Sequence, residues 1–162
     1  FGGIVISQAA EMVPERISRL AYVTAFLPAD GQSLSRLATA DPGNPVATSA
    51  RISTDQQFIS LDLARVRELL YADCPDSDVA LARQRLCAEP VRPFITPVTL
   101  TAGRAGSIPR SYIECLNDIA IPLWFQRQMQ AAVPCDPVYS LAAGHSPFFA
   151  APAQLARLLG AA

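Results

Sequence analysis

The apolar patterning of the chain is strongest at its two ends and broken in its middle. Ile4 to Met12 reads as a helix that opens straight after two glycines. Pro14 ends it, because a proline nitrogen has no hydrogen to donate to the preceding turn. Arg19 to Leu27 (RLAYVTAFL) is a near-continuous apolar run with β-branched and aromatic members, the pattern of a strand buried on both faces of a parallel sheet. Pro28-Ala29-Asp30-Gly31 then breaks it. Near the other end, Ser111 to Leu116 (SYIECL) predicts a strand and Pro122 to Val133 a helix with proline in its first turn. Val138 to Leu141 predicts a further strand. Pro152 to Ala162 predicts a closing helix with Leu155, Leu158, Leu159 and Ala162 on one face. Strands alternating with helices predict an α/β fold, a parallel sheet with helical crossovers.

From Gln32 to about Gly106 this rhythm is lost. Asp41-Pro42-Gly43-Asn44-Pro45 predicts a loop, and Leu61 to Tyr71 and Ser77 to Leu86 predict helices, the second capped by Ser77 or Asp76. Pro90, Pro93 and Pro97 are expected to keep the chain extended. No long strand is predicted here, so the region reads as a mainly helical cap. The organisation expected is a core segment over 1–31, a cap over 32–106 and a second core segment over 107–162. Three strands leave RLAYVTAFL without a second neighbour, and the chain opens on Phe1 rather than Met. The expectation is therefore the C-terminal portion of a larger domain, with the N-terminal portion of that domain as its first partner.

Composition narrows the function classes. Half of the residues are apolar (51%) and 17% are charged, enough to build a core and too little charge for disorder. The formal net charge is -1 with no basic run, which argues against nucleic-acid and polybasic membrane partners. No stretch nears the roughly 20 continuous apolar residues of a membrane helix. No basic segment marks a signal peptide at Phe1, and the expected location is cytoplasmic. All thirteen basic residues are Arg, which with abundant Ala and Pro points to a GC-rich, bacterial source. Cys74, Cys87, Cys115 and Cys135 include no C-x-x-C pair, and there is a single His, so no zinc site or other cofactor is expected. Four free thiols are expected. About 13 residues of helix would hold Cys74 and Cys87 too far apart for a disulfide. Oligomeric state stays open between monomer and homodimer.

The single histidine, His145, follows the strand Val138–Leu141 in the loop Ala143-Gly144-His145-Ser146-Pro147. Reactive groups in open parallel sheets gather at the carboxyl ends of strands. Asp118, in Leu116-Asn117-Asp118-Ile119-Ala120, stands at the carboxyl end of the preceding strand. Taken alone, each also fits an ordinary loop or capping role. Together they suit a pair in which a buried carboxylate holds an imidazole in one tautomer, as nucleophile activation requires. The order of nucleophile, acid and base in one class of serine hydrolases is Ser, Asp, His, with the serine on a G-x-S-x-G turn before a helix. Phe1-Gly2-Gly3 is what should follow that serine, with Gly2 as the last glycine of the motif. The nucleophile is expected immediately before Phe1, since every serine within the chain, Ser7 in its helix for example, is worse placed.

The residues quoted so far resemble one family. FGGIVISQAAEMVPERISRLAYVTAFLPADGQSL, LLYADCPDSDVALARQRL, YIECLNDIAIPLWFQRQM and AAGHSPFFAAPAQLARLL resemble the α/β-hydrolase branch that contains plant methyl-ester esterases, hydroxynitrile lyases and related bacterial esterases. The resemblance covers nearly the whole chain except Asp41 to Asp55. It implies an α/β-hydrolase fold with a mainly helical cap, and a carboxylic ester hydrolase acting on small esters through an acyl-enzyme. It implies His145 as general base and acid, Asp118 as its orienting carboxylate and the Phe1 backbone N–H as an oxyanion-hole donor. Ala120, Ile121 and Ser146 would line the substrate pocket. Hydroxynitrile lyases of this branch carry Lys after the catalytic His, where this chain has Ser146, so the resemblance favours esters. A lyase acting at the same site and an inactive small-ligand-binding homologue are the alternatives.

Overall fold

The computed structural model describes residues 1–161. In chain order the elements are α1 (Gly2–Met12), β1 (Leu20–Val23), α2 (Leu34–Ala38), α3 (Pro45–Ser49), β2 (Ala50–Ile52), β3 (Phe58–Leu61), α4 (Val66–Leu70), α5 (Asp76–Arg85), β4 (Glu89–Pro90), α6 (Val91–Ile95), β5 (Arg110–Cys115), α7 (Leu123–Ala132), β6 (Val138–Leu141), α8 (Pro147–Ala150) and α9 (Pro152–Ala161). β1, β5 and β6 form a parallel sheet with β5 in the middle. Ser111 to Cys115 of β5 are all buried, as expected for a central parallel strand covered on both faces.

One core packs α1 and α7 against this sheet through Ile4, Ala10, Leu20, Tyr22, Tyr112, Phe125 and Met129. A second, on the β6 side, joins Ile113, Cys115, Leu141 and Ala143 to Leu155 of α9. Burying each large apolar side chain contributes about 1.5–3 kcal/mol. α1 can lie close because its second residue, Gly3, has no side chain. A Cβ on Gly3 would sit 1.9 Å from the Phe26 carbonyl oxygen. Glu11, near the end of α1, accepts from the Thr101 and Ala105 backbone N–H groups and from the Thr101 hydroxyl, which ties this helix to the chain entering β5.

Several expectations need correction. The strand expected over Arg19–Leu27 stops at Val23, because Thr24 turns into the left-handed region (φ 37°) and the chain leaves the sheet. The middle segment is mainly helical, as expected, and additionally holds a small antiparallel sheet of order β2-β3-β4. Its hairpin is made by Ser53 and Asp55, whose side chains accept from the Phe58 and Gln57 N–H groups, with Gln56 at positive φ. The helix expected from Leu61 begins only at Val66, because Leu61 pairs in β3 and Asp62 accepts from the Ala64 N–H in a turn. Pro93 does not keep its segment extended. It falls in the first turn of α6, where its missing N–H has no partner to lose. Pro122 caps α7 rather than belonging to it. Of the face expected on α9, Leu155 is buried and Leu159 is exposed, while Ala162 lies outside the described residues. All four cysteines are free.

Candidate active site

The loop after β5 is closed by one side chain. Gln126 of α7 is fully buried. It accepts from the Cys115 N–H at 3.1 Å and donates to the carbonyls of Cys115 at 2.9 Å and Ile121 at 2.7 Å. The Leu116 and Asn117 N–H groups donate to the carbonyls of Leu141 at the end of β6 and Ala143 just after it, each at 3.0 Å. Asn44, buried in the middle segment, donates to the Ala120 carbonyl at 2.7 Å while its own oxygen caps α3. The loop carrying Asp118 is thus held from three sides.

Within that loop Asp118 is 4% exposed. Its Oδ1 accepts from the N–H groups of Ala120 at 2.7 Å and Ile121 at 3.0 Å, a local turn typical of Asp. Its Oδ2 lies 2.8 Å from Nδ1 of His145 and also accepts from the Thr24 hydroxyl. A carboxylate can only accept, so the shared proton belongs to Nδ1 and the lone pair of the neutral ring to Nε2. Nε2 has no hydrogen-bond partner among the described residues, and the His145 side chain stays 29% exposed. The pair can therefore take up and release a proton at an accessible nitrogen while its carboxylate is shielded from water.

The histidine loop is held by the middle segment. Asp73 accepts from the Gly144 N–H at 2.6 Å, and a Cβ at Gly144 would come 2.8 Å from the Asp73 carboxylate. The Cys74 thiol donates to the Ser146 carbonyl at 3.6 Å. Burial pushes the Cys74 thiol up to about 11 and the Cys115 thiol up to about 12, and it raises the Tyr112 phenol as well. All three stay neutral near pH 7.

The structure brings together Asp118 and His145, with Ala120 and Ile121 donating to that carboxylate and Ser146 next to the imidazole in the chain. Ala120, Ile121 and Ser146 are themselves buried. Phe1 stands at the start of α1, its ring stacked on Phe94 of α6 at 5.0 Å with 4° between the planes. It makes no hydrogen bond to the pair. Sequence reasoning missed Thr24, Asp73 and Asn44, and it gave Gln126 no role. Thr24 carries the clearest overlooked signal, a hydroxyl at the end of an otherwise apolar strand. Its left-handed backbone costs on the order of 1–3 kcal/mol for a β-branched residue. Two concavities of about 200 and 490 Å³ lie elsewhere, beside Leu20, Tyr22 and Arg110 and beside Pro109 and Pro134. Neither includes Asp118 or His145, so the candidate site rests on chemistry and not on cavity size.

Known proteins resemble this chain over nearly its whole length. Over 166 residues the chain is 35% identical to the pyrethroid hydrolase of Sphingobium wenxiniae, covering 98% of this chain and 59% of that protein. Over 168 residues it is 34% identical to a chloroplastic Arabidopsis thaliana protein provisionally named methylesterase 11, covering 98% of this chain and 43% of that protein. The crystal structure of a pyrethroid hydrolase from Sphingobium faniae superposes with a TM-score of 0.85 at 33% identity, over 99% of this chain and 66% of that one. The chain thus spans about half the length of the curated relatives it matches. A profile described as the alpha/beta hydrolase family matches residues 1–158, and on that match, together with the parallel sheet and its strand-end loops, the chain belongs to the alpha/beta hydrolase family.

Proposed function

We propose that this chain supplies the acid, the base and part of the pocket of a carboxylic ester hydrolase. The observation that carries the reading is the bond between His145 Nδ1 and the buried Asp118 carboxylate, 2.8 Å long, at the carboxyl ends of adjacent parallel strands. The nucleophilic serine is assigned to the position immediately before Phe1 in the complete protein, on the N-terminal portion of the same domain. In this scheme Nε2 of His145 takes the serine proton as Oγ attacks the ester carbonyl carbon. The imidazolium returns the proton to the departing alcohol as the tetrahedral adduct collapses to an acyl-enzyme. Water, activated by the same nitrogen, then releases the acid. The Phe1 backbone N–H is assigned to the oxyanion hole, where a preorganised donor lowers the energy of the developing charge. Ala120, Ile121 and Ser146 are assigned to the pocket wall, and the segment 32–106 to the cap over it. The Phe1–Phe94 stack supports that last assignment, because it lays α6 against the first residue of the chain. The names of the relatives support esters as the substrate class, a pyrethroid in one case and a methyl ester in the other.

The test is hydrolysis of p-nitrophenyl short-chain esters by the complete protein. His145→Ala and Asp118→Asn are each expected to lower the rate by roughly 10³-fold or more. Wild-type rates in both variants, or a residue other than serine before Phe1, would refute the assignment.

A further inference from the structure

We propose that Thr24 is a positioning residue for the Asp118–His145 pair, its hydroxyl aiming the carboxylate and weakening its hold on the imidazole. The inference rests on the catalytic reading of that pair and adds a residue to it.

Three adjacent strand ends converge on one oxygen. β5 leads into Asp118, β6 leads into His145 on one side, and β1 ends at Thr24 on the other. Asp118 receives two backbone N–H groups on Oδ1 and two side-chain donors, Thr24 and His145, on Oδ2. The backbone donors fix Oδ1 but leave the carboxylate able to pivot about it. The Thr24 hydroxyl occupies one lone pair of Oδ2 and so directs the other toward Nδ1. Thr24 is 3% exposed, so bulk water cannot readily replace its hydroxyl.

The backbone gives an independent argument. Thr24 adopts φ 37°, a conformation that glycine accepts freely and a β-branched residue resists. Its N–H donates to the Ile113 carbonyl at 2.9 Å, which holds the turn at the end of β1. Backbone strain of this kind persists where the surrounding structure over-determines it, and it clusters at functional sites. Here the Thr24 hydroxyl donates to Asp118, with the Cys115 thiol also in side-chain contact with it.

The hydroxyl also sets a balance. Each donor on Oδ2 draws electron density from the carboxylate and lessens its attraction for a protonated imidazole. The other titratable groups around the pair are Asp73, bonded to Gly144, and Cys74, Cys115 and Tyr112, which burial keeps neutral. Removing the hydroxyl leaves the carboxylate holding the imidazolium more tightly. His145 would then lose its proton at a higher pH, and the acid limb of kcat/KM would follow it upward.

The experiment uses the complete protein and p-nitrophenyl acetate. Thr24→Val, which keeps the branched shape and removes the donor, is expected to lower kcat roughly 10- to 100-fold through misorientation and to move the acid limb to higher pH. Thr24→Ser, which keeps the hydroxyl, is expected to retain the wild-type rate and limb. If Thr24→Val does not fold, Thr24→Gly suits the backbone and removes the same hydroxyl, and it must show the same two effects. A folded donor-free variant with the wild-type rate and limb would overturn the proposal. So would a rate loss with an unmoved limb, which is what a purely structural role gives. If His145→Ala is active, the triad reading itself fails. If it is inactive and the donor-free variant behaves as wild type, only the role of Thr24 fails.

Discussion

Two regions of this molecule use the same polar chemistry to different ends. Around the strand ends of the large sheet, Asp118, Gln126, Asn44 and Thr24 are buried, and their side chains bond to backbone or to one another. In the small sheet of the middle segment, Asp55 and Asp62 also accept backbone N–H groups, yet they lie at the surface. Arg51, paired with Asp62 at 2.8 Å, has a side chain 72% exposed. Ile52 and Phe58 of the same sheet stand open to solvent. The contrast follows from water. A buried polar group that loses its partner suffers the full desolvation penalty, so the strand-end network specifies one geometry. An exposed group finds water instead, so the small sheet tolerates change. Precise geometry is thus concentrated where the proposed chemistry needs it and relaxed in the segment assigned to the cap.

That contrast can be broken, and the largest effect is expected at Gln126. Gln126→Ala would leave the Cys115 N–H and the Cys115 and Ile121 carbonyls without their side-chain partner. It should destabilise by about 2–4 kcal/mol and lower ester turnover with it. Denaturant unfolding of the complete protein measures the first quantity, and a loss below about 1 kcal/mol would mean that the network is less demanding than its burial implies.

An intermediate effect is expected from acid. Burial alone would raise the carboxyl of Glu114 in β5, but hydrogen bonds from Arg127, Gln130 and Ser140 outweigh it and hold Glu114 below the ordinary carboxylate range. A group depressed in the folded state contributes stability that is complete above its unfolded pKa and is lost as pH falls through the folded value. Stability should therefore decline in that acid window, and Glu114→Gln should flatten the decline. A parallel pair of urea midpoints against pH reads this directly, and identical slopes would deny Glu114 the role.

The smallest effect is expected from Arg51→Ala. An exposed ion pair contributes under about 1 kcal/mol, and esterase activity should be unchanged. A large activity loss there would show that the small sheet, too, controls the site.

Much of this was legible in the residue pattern. The runs RLAYVTAFL and SYIECL and the helix-period segments between Pro122 and Ala162 predicted a parallel α/β core, because a strand covered on both faces must be apolar throughout. The order Asp118 then His145 at successive strand ends predicted their meeting, because parallel strands bring equivalent ends side by side. The middle segment is mainly helical, as its pattern predicted, and only its small sheet went unread, for a physical reason. Strands of two to four residues are too short for an alternating pattern to register, and their pairing depends on partners distant in the chain.

The amino-acid sequence by itself determined the layered α/β architecture, the absence of any C-x-x-C pair or second histidine, and which two side chains stand at neighbouring strand ends. Local periodicity and chain order suffice for each of these. Only the tertiary structure decided that Thr24, 94 residues before Asp118, shares its carboxylate oxygen with His145, and that Asp73 and Asn44 brace the two loops from the middle segment. Hydrogen bonds across such separations leave no period in the sequence, because what selects them is the three-dimensional register of strands and the desolvation that comes with burial.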